Sequence, residues 1–336
     1  MRTPEAHSHP PTQAAPPVRM QCMEVWGGNQ PADLGVSMVG LDAWVFSRPY
    51  QGAAGGGDVH YVSSCATGRI TRMLLADVSG HGTAVSDLAG SLRSLMRRYV
   101  NYLDQSSFVR KVNRRFGNMA ADGTFATAVV TTFFAPTRDL TVSNAGHPPP
   151  LLYRARAGEW IPLEQRRSDA PGLANIPLGI VDETHYEQFG LRLDVGDLVL
   201  CYTDSLIEAR EADGRTLGVE GLLDLLRQCD PADPSALVAR LLERIAAAAP
   251  GNMTDDDVTV LLFRANGLVQ KMSLRDKLAT PVRLFRAWAR SLVHGDQPMP
   301  WPEPSLPNIG GPILNSLNRT WTRRNTPETI DGPARG

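Results

Sequence analysis

Three apolar segments of this chain abut carboxylates: "RITRMLLADV" runs into Asp77, "DLVLCYTD" runs into Asp204, and "DDDVTVLLF" starts from Asp255, Asp256 and Asp257. Such short apolar runs read as buried strands. A carboxylate at the rim of such a core is costly unless it meets a cation or reaches water. Behind Asp77 comes "VSGHG", whose glycines let a ligand or another backbone approach closely. A metal ion or a phosphate would account for both the stranded acid and the loop.

Further strand-like segments surround these: "LDAWVFS", "DVHYVSS", "FATAVVTTFF", "LTVSNA" and "PLLYRA". Between "RITRMLLADV" and "FATAVVTTFF" lies "GTAVSDLAGSLRSLMRRYVNYL", in which Val85, Leu88, Leu92, Leu95, Met96 and Tyr99 recur at helical spacing. A second helix is expected over "SSFVRKVNRRFGNMA", capped by Ser106 or Ser107. Two strands flank the turn "DVGD", and two more helices follow at "VEGLLDLLRQ" and "PSALVARLLERIAAAA". Strands on both sides of a helical pair, then helices and a last strand, fit an α+β sandwich better than a regular βαβ alternation.

At 336 residues and 42% hydrophobic content the chain can bury a large core. A formal net charge of -1 supplies no general basic field for nucleic acid. Cys22, Cys65, Cys201 and Cys229 form no CxxC pair and read as free thiols in a reducing compartment. No apolar run is long enough to span a bilayer, the N-terminus lacks a signal-type apolar stretch, and a cytoplasmic location is expected. Residues 1–18, proline-rich and including His7 and His9, read as a disordered leader, and 19–266 as the folded domain. The basic, proline-rich segment 267–336 contains an amphipathic pattern over 272–293, with Leu274, Leu278, Val282, Phe285, Ala289 and Leu292 on one face. With Arg275, Arg283, Arg286 and Arg290 on the others, that pattern suits packing on the main domain, a partner, or peripheral contact with a membrane.

The acids at strand–loop junctions are then Asp58 in "AGGGDVHY", Asp77, Asp204 and the Asp255–Asp257 group. Any one alone reads as a helix cap or turn residue. Together they have the chemistry of hard divalent cations, which take oxygen ligands; two such ions sharing a carboxylate and a water can clamp an in-line attack on phosphorus.

The residues that carry this chemistry resemble the metal-dependent protein phosphatases (PPM, type 2C), in particular the bacterial branch of stage II sporulation protein E and the sigma-B regulatory phosphatases. The resemblance rests on "GGD" at Gly56–Asp58, "ADVSGHG" at Ala76–Gly82, "FATAVV" at Phe125–Val130, "NAGHPPP" at Asn144–Pro150, "PLGI" at Pro177–Ile180, "YTDSLIEA" at Tyr202–Ala209 and "DDDVTVLL" at Asp255–Leu262, in the family's order. It implies a four-layer α-β-β-α sandwich and two Mn2+ or Mg2+ ions in a cleft at one end. Carried over by motif, Asp77 bridges both ions, the Val78 carbonyl and Asp58 complete one, and Asp204 with an acid of "DDD" holds the other. The family's ligand is the first acid of an Asp-Asp/Asn-hydrophobic-Thr string, which begins here at Asp256. Asp257 joins the metal-binding group as an outer neighbour or loop-stabilising acceptor, and Asp255 is a solvated charge.

Two positions depart from the family pattern: Ser205 stands where a glycine is usual, and Ser79 where the eukaryotic branch has a proposed general-acid histidine. His81 is read as fixing the loop, and His147 as a hydrogen-bonded turn residue near the cleft rim. The implied activity is hydrolysis of phosphoserine or phosphothreonine on a regulatory protein, a STAS-type anti-anti-sigma factor in that branch. The competing readings are a catalytically weak relative that binds a phosphoprotein, disfavoured by retention of all four acidic positions, and a two-metal nuclease, disfavoured by the near-neutral charge and the lack of a basic, aromatic groove pattern.

Overall fold

The computed structural model describes residues 17–20, 24–64, 69–80, 82–99, 104–120, 123–164 and 174–268. Its strands are β1 (Val18–Arg19), β2 (Val25–Gly28), β3 (Ala32–Met38), β4 (Leu41–Arg48), β5 (Asp58–Ser64), β6 (Ile70–Val78), β7 (Ala126–Phe134), β8 (Asp139–Ala145), β9 (Leu151–Arg154), β10 (Glu159–Pro162), β11 (Phe189–Arg192), β12 (Leu198–Tyr202) and β13 (Val258–Ala265). One sheet runs β1-β3-β4-β13-β12-β9-β10 and the other β11-β8-β7-β6-β5-β2. β13, the last strand among the described residues, therefore lies inside its sheet, pairing β4 on one side and β12 on the other.

Alternation along each central strand explains why the apolar runs are unbroken. On β6, Met73 and Leu75 point into the core between the sheets, while Leu74, Ala76 and Val78 point outward beneath helices. On β13, Leu261, Phe263 and Ala265 face the other sheet, and Val258, Val260 and Leu262 face helices. Both faces are buried, so both need apolar side chains. Helices α1 (Thr83–Arg98) and α2 (Gln105–Gly117) cover one sheet; α3 (Gly218–Arg227) and α4 (Pro234–Ala248) cover the other. The α+β, four-layer α-β-β-α sandwich expected above is the observed architecture.

Some local expectations need correction. The cap of α2 is Asp104, whose side chain accepts from the Ser107 amide at 2.9 Å. Ser107 stands three residues into the helix as the donor that a cap must reach, and the Ser106 hydroxyl donates to the Tyr186 carbonyl instead. Strands β1, β2, β3 and β10 went unread: β1, β2 and β10 lie at sheet edges, where one side needs no partner and the apolar signal is weak. Helix α1 ends at Arg98 with Tyr99 as its C-cap. Residues 1–16 of the expected leader 1–18, the helix over 272–293, His81, Cys22 and Cys65 lie outside the described residues, while Val18, at the leader's expected end, already begins β1. Cys201 and Cys229 are buried free thiols. Among the described residues, no helix is long and apolar enough to cross a membrane.

Candidate metal centre

The antiparallel register of β5 and β6 sets Asp58 directly opposite Asp77. Both share the strand face of Val62, Met73 and Leu75, so both carboxylates enter the space between the sheets, at its end. Asp58 is only 3% exposed and accepts a hydrogen bond from the Thr203 hydroxyl at 3.0 Å. Thr203 belongs to the opposite sheet's side of the gap: it follows β12 and leads into the short 3-10 turn Asp204–Leu206. Asp255 and Asp256 are exposed immediately before β13. Acids from both sheets thus gather at one mouth of the sandwich.

Their electrostatics show that they sense one another. Burial pushes the Asp77 carboxyl up to about 7, reinforced by Asp204, Asp256, Asp257 and Glu208. Burial, and next the charge of Asp77, raises Asp58 well above the usual carboxylate range. Asp204 is raised by burial and by Glu208. Among the described residues none of the ion pairs includes Asp58, Asp77 or Asp204. An all-oxygen donor set with surplus buried negative charge fits Mg2+ or Mn2+. The acids converge without closing: among the described residues no three carboxylate, imidazole or thiol groups form a ready-made ligand cluster.

Asp257 differs from its neighbours. Its carboxylate accepts from the backbone amides of Tyr50 at 2.6 Å, Gly57 at 2.5 Å and Asp58 at 3.2 Å, so both oxygens are engaged in holding the loop that ends on Asp58. Its own amide donates to Asp256 Oδ1 at 2.7 Å. The glycines of "GGD" follow from this wrap. A Cβ on Gly56 would overlap the Asp257 carboxylate, and one on Gly57 would come within 2.8 Å of the Val78 carbonyl oxygen. Val78 is tied back through its amide to the Gly57 carbonyl at 3.3 Å.

The departures from the family pattern have local explanations. Ser79 bridges its loop to Phe125, donating from its amide at 2.9 Å and accepting at its hydroxyl at 3.0 Å. Ser205 is buried, with its hydroxyl 3.4 Å from that of Thr203, and fits the turn without crowding it. His147 is buried, and its Nδ1 pairs with the Thr127 hydroxyl at 2.8 Å. Sequence reasoning passed over Thr203, Thr127 and Glu208. Glu208 was legible, four residues after Asp204 in a motif already singled out; the threonines were not, because their importance lies in cross-strand neighbours.

Two packed sheets, a helical pair on each outer face and acids gathered at one end of the gap define the PP2C phosphatase-domain fold. The chain superimposes on the RsbU and RsbW domains of Rv1364c from Mycobacterium tuberculosis with a TM-score of 0.57 at 22% identity, covering 89% of this chain and 80% of that one. It also matches the PP2C phosphatase domain, with a fragment of the regulatory domain, of the cell fate determinant SpoIIE from Bacillus subtilis, with a TM-score of 0.56 at 16% identity, covering 74% and 65%. The sequence model of the Stage II sporulation protein E (SpoIIE) family matches residues 67–266, more than half of the chain, and the chain belongs to that family. Among curated proteins it is 22% identical over 191 residues to the phosphoserine phosphatase RsbU of Bacillus subtilis (strain 168), covering 56% of this chain. That match spans 54% of RsbU, about half its length.

Proposed function

We propose that this protein is a divalent-metal-dependent serine/threonine protein phosphatase. The observation that carries the reading is the placement of Asp58 opposite Asp77 between the sheets, with Asp204 and Asp256 arriving from the other sheet at the same mouth. Asp77 with the Val78 carbonyl, Asp58, Asp204 and Asp256 would hold two Mn2+ or Mg2+ ions. When bound, such a pair supplies Lewis acidity for an attacking water and neutralises the phosphoryl oxygens. The chain's own contribution is positional: the backbone wrap around Asp257 fixes Asp58, and the Thr203 hydroxyl orients it across the gap. Hydrolysis by this route needs no nucleophilic side chain.

The substrate reading is a phosphorylated regulatory protein of the STAS type. Its support is the family membership and the likeness to RsbU, a phosphoserine phosphatase, and to an RsbU–RsbW pair of domains. Purified protein should hydrolyse p-nitrophenyl phosphate and a phosphoserine STAS protein with Mn2+, lose both activities in excess EDTA, and recover them when Mn2+ is restored. Full activity in EDTA would overturn the two-metal reading. Binding of the phosphoprotein without turnover at any Mn2+ concentration would favour a phosphoprotein-binding module instead.

A further inference from the structure

The motif "NAGHPPP" takes no part in the chemistry above, yet it delivers a buried imidazole to the metal end of the sandwich. Asn144 clamps the backbone of His147 in both directions, accepting from its amide at 2.7 Å and donating to its carbonyl at 2.8 Å. Gly146, at φ 68°, packs so closely on Pro177 that a Cβ there would lie 2.6 Å from the proline ring. The turn therefore has one geometry, and it points His147 between β7 and β12, strands of different sheets.

What His147 touches matters more than its burial. Its Nδ1 pairs with the Thr127 hydroxyl, and Thr127 is the β7 residue directly opposite Asp77, sharing its strand face. Its other nitrogen, Nε2, is buried with no hydrogen-bond partner among the described residues. The backbone of Tyr202, two residues before Asp204, also acts on the ring. Burial pushes the imidazole down to about 3, while the Tyr202 backbone acts in the raising sense, as a carbonyl acceptor does. The ring is thus neutral, with its Nδ1 paired to the Thr127 hydroxyl. A rigid ring paired to β7 on one edge and lying by the end of β12 on the other stands between the two sheets.

We propose that His147 is a positioning residue for the metal centre, fixing through Thr127 the place of Asp77 on its sheet and so the separation at which it meets Asp204 on the other. The proposal rests on the metal-dependent reading above. It differs from a purely structural role in one respect: breaking the brace weakens metal binding more than it weakens the fold.

The test uses Thr127→Val, which keeps the shape and removes the hydroxyl, Thr127→Ser, which keeps the hydroxyl, and His147→Phe, alone and combined with Thr127→Val. Free Mn2+ measured by electron paramagnetic resonance gives the dissociation constant; kcat on p-nitrophenyl phosphate and Tm are measured alongside. Thr127→Val should weaken Mn2+ binding by about tenfold, the scale at which groups that orient metal ligands act. Thr127→Ser should stay within about twofold of wild type, and the double variant should be no worse than His147→Phe alone. If Thr127→Val and His147→Phe lower Tm but bind Mn2+ as wild type does, the proposal is overturned. Failure of the wild-type protein to bind Mn2+ would instead remove the metal reading itself, and this proposal with it.

Discussion

Strand β6 carries two charges on opposite faces, Arg72 buried beneath the helices and Asp77 half-buried between the sheets, and they are treated in opposite ways. Arg72 is 2% exposed yet well provided: its Nε donates to the Thr132 hydroxyl at 3.0 Å, a terminal nitrogen reaches the Tyr99 carbonyl at 3.5 Å, and its guanidinium sits 4.4 Å from the Phe108 ring centroid. Those partners belong to β7, the end of α1 and α2, so the cation stitches the helical layer to the sheet. Asp77 instead faces Asp58 and feels Asp204, Asp256, Asp257 and Glu208. A buried charge enclosed by donors and acceptors is architecture; one surrounded by like charges is built for something that arrives from outside.

The sharpest way to break this contrast is to neutralise each charge. Asp77→Asn should reduce Mn2+-dependent turnover of p-nitrophenyl phosphate by at least about a hundredfold, since it withdraws several kcal/mol of charge stabilisation from the reaction. The metal-free fold should be no less stable, because the change relieves repulsion. Arg72→Met should do the reverse, lowering stability by about 2–4 kcal/mol as its acceptors lose their donor, while turnover per folded molecule stays near wild type. Denaturant melts and steady-state rates on both variants check the pair; a stable Arg72→Met protein would remove the distinction.

A second contrast lies among adjacent acids. Asp257→Asn presents an amide NH2 to a nest of backbone N–H groups and should cost about 1–3 kcal/mol of stability, with Mn2+ binding falling as the Asp58 loop loosens. Asp256→Asn should weaken Mn2+ activation with little loss of Tm, and Asp255→Asn should change neither. Melting curves with Mn2+ titrations order the three.

The smallest effect expected is on pH. Asp77 holds its proton to about 7 in the folded state against an ordinary value of 3.8, so the native state binds that proton more readily than the unfolded chain. Its contribution is therefore most favourable below about pH 4 and is lost as pH rises toward 7. Without metal, the Tm of Asp77→Asn should gain on wild type across that window; saturating Mn2+ should reverse the order. A pH-independent difference would mean that Asp77 titrates as an ordinary surface acid.

Central elements were legible because both faces of β6, β12 and β13 are buried and their runs are mostly apolar, while α1 and α4 carry clear helical spacing. Asp58, Asp77 and Asp204 were legible as acids where apolar strands meet loops. What escaped was relational. Thr127 is an unremarkable strand residue until register sets it opposite Asp77, and Gly56 is a loop glycine until Asp257, some 200 positions later, fills the space a side chain would need. Cross-sheet neighbours leave no period in a sequence, so such pairs appear only once the sheets are stacked.

The central position of β13 has a consequence for how the protein comes into being. Strands β1, β3 and β4 build one flank of the first sheet, β9, β10 and β12 build the other, and only β13, reached after both, joins them. Asp256 and Asp257 lie just ahead of that same strand. While the chain emerges from the ribosome, its two sheet halves stay unjoined, with bare edges inviting mispairing. Closure of the sheet and completion of the acidic mouth are therefore one late event, both waiting on the docking of β13.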